Sequence, residues 1–117
     1  MNLNALNEHQ FDVLISRFSM EEIGLGKYGE DISFNADLDM SDMMNCMLKN
    51  NGLLFVYLTV NESEDKSVIQ FNTKRVYGKT RLNELFLNSN SNWFLIDRLT
   101  YKHGSEELFV LKKRLAN

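Results

Sequence analysis

Residues 53–60, LLFVYLTV, decide the class of this chain. Eight consecutive positions hold aliphatic, aromatic or β-branched side chains and threonine, with no glycine, proline or charge among them. Such a run is too short to span a membrane, and its β-branched and aromatic residues are those of a strand. Working outward, NESEDK at 61–66 is a polar turn and SVIQFNTKRV at 67–76 a second extended run, so the stretch predicts an antiparallel hairpin. A second hairpin is predicted at the end of the chain, where WFLIDRLTY (93–101) and ELFVLKKRL (107–115) flank the turn residues KHGS.

The other segments carry helical spacing. Phe11, Leu14, Ile15 and Phe18 fall at i, i+3, i+4 and i+7 behind the capping-box pair Asn7 and Gln10. They predict a helix from Glu8 to Glu22 that Gly24 stops. DISFNADLD (31–39) alternates and predicts a short strand. SDMMNCMLKN (41–50) predicts a helix capped by Ser41 or Asp39, with Met44, Met47 and Leu48 inward and Gly52 at its end. A third helix, TRLNELFLN (80–88), starts at Thr80 and buries Leu82, Leu85 and Phe86. The order αβαββαββ, without repeat or linker, predicts one α+β domain over residues 1–117, mainly antiparallel, with helices packed on one face of the sheet.

Two glycine motifs bear on nucleotide binding. GLGKYG (24–29) has G-x-G-x-x-G spacing, but a dinucleotide site needs a strand before its glycines and a helix after them. Here the predicted order is the reverse, and Glu30 and Asp31 follow where a phosphate would be repelled. Gly78, Lys79 and Thr80 match the last three positions of a P-loop, while Thr73 stands where its first glycine belongs. Both read as turns.

Catalytic and metal constellations are absent from the sequence. The thiols and imidazoles amount to Cys46, His9 and His103, with no metal spacing among them. Cys46, inside a methionine-rich helix, is expected to be reduced and buried. DLDMSD (37–42) lacks the glycine and distal glutamate of a calcium loop. No cofactor, metal or catalytic residue is therefore expected. No basic n-region or apolar stretch marks a secretory leader in MNLNALNEHQFD, which points to a cytoplasmic protein away from the membrane.

Charge is the most informative feature. The net charge is −3, yet residues 1–65 hold three bases against twelve acids and residues 66–117 ten bases against four acids, for nets of −9 and +6. Either the surface is dipolar and steers a charged partner, or the halves neutralise each other where they pack. Acids are interleaved with apolar anchors around Tyr28, Glu30, Asp31, Asp37, Asp39 and Asp42, a combination suited to the basic surface of another protein. The chain also has no proline and fourteen asparagines, a bias that fits an AT-rich phage or mobile element. The expected function is a non-catalytic inhibitor of a bacterial defence enzyme, of the anti-CRISPR kind, or a toxin-immunity partner. The alternative is nucleic-acid binding through Lys74, Arg75, Lys79, Arg81, Arg98, Lys112 and Lys113. Exposed Met and Phe residues leave a homodimer seam open.

The C-terminal third resembles a short bacterial and phage family of unknown function that carries an L-N-E-L helix, a G-W-E step and a closing F-V-x-K-R strand. LNEL is Leu82–Leu85, the tryptophan is Trp93 and the closing strand is FVLKKR (109–114). Asn92 replaces the glycine and Phe94 the glutamate. The resemblance covers about 35 residues and implies a small α+β module without naming an activity.

Overall fold

The computed structural model describes residues 10–25, 33–61, 68–70, 74–100 and 106–114, with the side chains of 68–70 and Lys74 outside the description. Strand β1 (Phe11–Arg17) leads into a single helical turn, α1 (Ser19–Glu22), and then α2 (Ala36–Met47). β2 (Leu48–Thr59) follows, then the short β3 (Val68–Gln70) and β4 (Lys74–Val76). Helix α3 (Lys79–Leu82) widens into a π-helical segment, Asn83–Leu87, before β5 (Trp93–Thr100) and β6 (Glu106–Lys113). The fold is α+β: a mixed, mostly antiparallel sheet in the order β1-β2-β6-β5, and a separate two-stranded ladder β3-β4.

LLFVYLTV is the centre of this sheet, and its role differs from the expected hairpin. β2 is twelve residues long and uses both edges: it pairs in parallel with β1, Ile15 beside Phe55, and antiparallel with β6, Phe55 beside Val110. Residues 68–70 therefore pair with 74–76 instead. Of the predicted polar turn 61–66, all but Asn61 lies outside the described residues. Leu54, Val56 and Leu58 on β2 are fully buried, as are Phe109 and Leu111 on β6, and the helices pack on this face.

The first helix is corrected to a strand. Phe11, Leu14 and Ile15 have helical spacing, but Val13 joins Leu14 and Ile15 in a short apolar run that a strand also accommodates. Pairing with β2 decides between the two. Phe18 then reverses the chain in the left-handed region, φ 61°, and α1 begins. The predicted strand 31–39 is corrected likewise: Ala36 opens α2, with Asp37 and Asp39 in its first turn, where the helix dipole favours acids. Ser41 lies inside this helix and does not cap it. α2 ends at Met47, and Gly52 sits within β2 beside Asn51, whose φ is 66°.

The C-terminal half follows expectation more closely. β5 and β6 form an antiparallel hairpin with a bulge at Leu95–Asp97. Leu82, Leu85 and Phe86 are buried, and the Trp93 indole packs edge-on to Phe86. Gly78, not Thr80, precedes the helix. None of the described helices is long and apolar enough to cross a membrane.

Candidate functional site

Of the residues expected at an acidic partner surface, Asp39 and Asp42 are exposed on α2, and Tyr28, Glu30 and Asp31 lie outside the described residues. Asp37 is corrected: its side chain is fully buried. The physical reason is its position on the inward stripe of α2, at i relative to the buried Ser41 and Met44 at i+4 and i+7. Two guanidinium groups from the other half of the chain neutralise it. The Arg81 Nε and Nη2 groups donate to its two carboxylate oxygens, each at 3.2 Å, and the Arg75 Nε stands 3.9 Å away. The Tyr77 hydroxyl donates to Oδ2 at 2.9 Å and the Leu38 N–H to Oδ1 at 3.0 Å.

Arg75, expected on a nucleic-acid surface, is corrected with it, being 2% exposed. Its guanidinium donates to the carbonyls of Met20, Ile23 and Ser33, while Ser33 N–H donates to the Gly24 carbonyl at 2.7 Å. These bonds close the neck of the segment 24–33, so Arg75 holds both ends of the glycine-containing loop. Gly24 itself is in the left-handed region at φ 74°. The predicted helix before these glycines is replaced by strand β1 with the single turn α1 between them. Gly26 and Gly29 fall outside the described residues.

The remaining predicted bases are largely engaged within the chain. Arg81 also donates to the Phe34 carbonyl and pairs with Glu84 at 3.1 Å. Arg98 bonds Glu107 at 2.6 Å and lies over the Phe109 ring, and the Lys113 ammonium donates to the Leu48 carbonyl. Lys79 is exposed and Lys112 half-buried, on different elements. Lys74 contributes backbone to β4.

Burial, first, and then the charge and hydrogen bond of Asp37 hold the Tyr77 phenol far above the usual tyrosine range. A hydroxyl whose folded-state value is raised contributes stability that is complete below pH 10, the ordinary value, and is lost as the solution becomes more alkaline. Stability is expected to fall by up to about 1.4 kcal/mol per pH unit above pH 10 through this group. Urea titrations of the wild type and Tyr77→Phe between pH 8 and pH 11 check it: the difference in slope disappears if the phenol is not the cause.

A second buried carboxylate, Glu21, accepts from the Thr59 N–H at 2.7 Å and from its hydroxyl, which joins α1 to the carboxyl end of β2. An open pocket of about 330 Å³ lies between α2 and the turn before β5. Asp42, Glu84, Asn90 and Asn92 line it over Leu85 and Trp93. The Trp93 indole N–H is satisfied by the Ser41 hydroxyl at 3.0 Å. Among the described residues no group of three or more His, Cys, Asp and Glu could hold a metal. Cys46 is corrected from buried to exposed: it sits on the outward side of α2.

The least expected surface is the sheet face opposite the helices. Alternation along the strands, with the observed register, places Val13, Ile15, Leu53, Phe55, Val110 and Leu99 on that face together, with Arg17, Asp97 and Lys112 among them and Leu108 buried. Ile15 is 72% exposed and Val13 and Leu99 nearly half; Leu53, Phe55 and Val110 are half-buried. Apolar residues on both sides of β1 and β2 are the available signal in the sequence.

Fold and site together define a small α+β module: a mixed sheet with one helix-covered face, one largely apolar face that no described helix covers, and a helical crossover locked by buried charge. Residues 2–116 match the family model described as Caenorhabditis protein of unknown function, DUF268, and the protein belongs to that family. No curated protein matches it.

Proposed function

We propose that the protein is a non-catalytic protein-binding module that acts by occupying another protein's functional surface, and that it does so through the bare sheet face. The carrying observation is the row of exposed and half-buried apolar side chains from Ile15 to Leu99 on that face. Contiguous apolar surface of this kind marks interaction sites on folded proteins. The exposed Asp39 and Asp42 add acidic charge on α2, at the other side of the molecule, where they steer a partner without contributing much affinity. An inhibitor of a bacterial defence enzyme or a toxin-immunity partner belongs to this class and shares its test.

Affinity purification from the native source, with and without nuclease, checks the reading. The wild type should retain a polypeptide that resists nuclease, and Val110→Lys, which places an ammonium group in the middle of the face, should lose at least nine-tenths of it. Equal recovery by both proteins, or recovery abolished by nuclease, overturns the assignment. The second outcome would favour nucleic acid, a reading weakened by the engagement of Arg75, Arg81, Arg98 and Lys113 within the chain.

One observation favours a second reading. β1 and β2 are parallel and joined through helices, and sheets with such crossovers bind ligands outside the carboxyl ends of their strands. That rim holds Glu21, Thr59 and the neck of the 24–33 loop. A small molecule bound there would raise the melting temperature. Nucleosides and nucleotides at millimolar concentration are the probes, and no shift with any of them retires this reading.

A further inference from the structure

We infer that β1 is a self-association edge, and that two copies of the chain join there antiparallel about a two-fold axis through Leu14. The inference goes beyond the proposed function, since it concerns the rim of the sheet and not its face, and rests chiefly on the backbone of β1.

The sheet ends in β1 on one side and β5 on the other. The two edges are unlike. β5 carries Asp97 and Arg98 in its middle and a bulge at Leu95–Asp97, the devices by which exposed edges avoid pairing. β1 is irregular between Phe11 and Val13 and carries Asp12 and Arg17 toward its ends, but from Val13 to Ser16 it is regular and has no charge, no proline and no glycine. Its backbone is also oriented for pairing. The Phe18 N–H donates to the Tyr57 carbonyl of β2, so by alternation the N–H and C=O groups of Arg17, Ile15 and Val13 point outward. Among the described residues no strand takes them up.

A second copy fits this edge better than an arbitrary strand, because β1 is complementary to itself. With Leu14 opposite Leu14 of the second copy, Val13 stands opposite Ile15 and Ile15 opposite Val13, all on the bare face. These two are outward-bonding residues, so they make the hydrogen-bonded pairs that an antiparallel ladder needs. The charges do not oppose this direction: in this register Asp12 falls opposite Ser16 and Arg17 opposite Phe11, so no like charges face each other, as they would in an in-register parallel pair. Val13 and Ile15 are 46% and 72% exposed, and joining two copies at β1 covers part of both and makes one eight-stranded sheet.

Sedimentation velocity from low to high micromolar concentration tests the inference. The wild type should approach twice 13.7 kDa. Ile15→Lys should raise the dimer dissociation constant at least tenfold, with circular dichroism showing that the variant is folded; Val110→Lys, away from the edge, should leave it unchanged. Leu14→Cys in a Cys46→Ser background tests the register and does not depend on the Ile15 variant folding. The opposed residues are about 4.5 Å apart in such a pair, within disulfide reach, so mild oxidation should give a covalent dimer. A monomer throughout the range, an Ile15→Lys dimer as tight as wild type, no cross-link at Leu14, or an edge occupied only by a different polypeptide overturns the inference. A monomer that still captures a partner through Val110 sinks this inference alone, and a dimer that captures nothing sinks the proposed function alone.

Discussion

Asp37→Ala is expected to cost about 3–5 kcal/mol of stability, because it leaves the buried Arg75 and the mostly buried Arg81 without their counter-charge. For a chain of this size that loss lowers the melting temperature by on the order of 15 °C. The cost comes from the uncompensated cations rather than from the worth of the ion pairs, since burying a matched set of charges is itself close to neutral. A double-mutant cycle separates these contributions. Arg75→Met removes one stranded cation, so in the Asp37→Ala background it should cost at least 1 kcal/mol less than it does alone. Urea denaturation followed by circular dichroism supplies all four stabilities. A loss below about 1 kcal/mol for Asp37→Ala, or additive single effects, would mean that the cluster does not hold the crossover together.

That cluster was hidden from sequence reasoning for a definable reason. Asp and Arg are rarely buried, so Asp37 and Arg75 read as surface by type, and apart from the neighbouring Leu38 N–H each acquires its partners from 38 or more residues away. One local signal existed. Asp37 stands at i on the stripe that Ser41 and Met44 continue at i+4 and i+7, and a carboxylate on an apolar stripe must find a cation. The stripe is visible, but the cation's identity is set by how β4 and α3 return over α2. The C-terminal hairpin and the apolar residues of α3 were legible because their determinants are local: a turn between two apolar strands, and Leu82, Leu85 and Phe86 on one side of a helix. β1 was not, because FDVLISR satisfies both a helical stripe and a buried strand, and its partner β2 lies some forty residues on. Of the acids on α2, Asp39 and Asp42 are exposed and Asp37 is turned inward.

The misread strand also changes what the glycines of GLGKYG are for. With β1 ending at Arg17 and Arg75 bonded to Met20, Ile23 and Ser33, the chain must turn sharply at Gly24 to bring Ser33 back against it. Gly24→Ala is expected to cost about 3–4 kcal/mol. A side chain at φ 74° loses about 1–2 kcal/mol by itself, and the added carbon would lie 2.5 Å from the Ser33 carbonyl oxygen and 2.6 Å from the Ala36 Cβ. Neither neighbour is the end of a flexible side chain, so relief requires moving the backbone at 33–36, which carries the start of α2 and the acceptor for Arg75. The loss should therefore be local as well as global. Hydrogen exchange should show the Ser33 amide, bonded to the Gly24 carbonyl at 2.7 Å, losing protection more than tenfold, while β6 amides bonded to β2 change only by the global stability difference. Uniform loss across both sets would show that Gly24 serves the whole fold rather than the neck. An unchanged melting temperature would show that the turn tolerates a side chain and that Arg75 alone closes the loop.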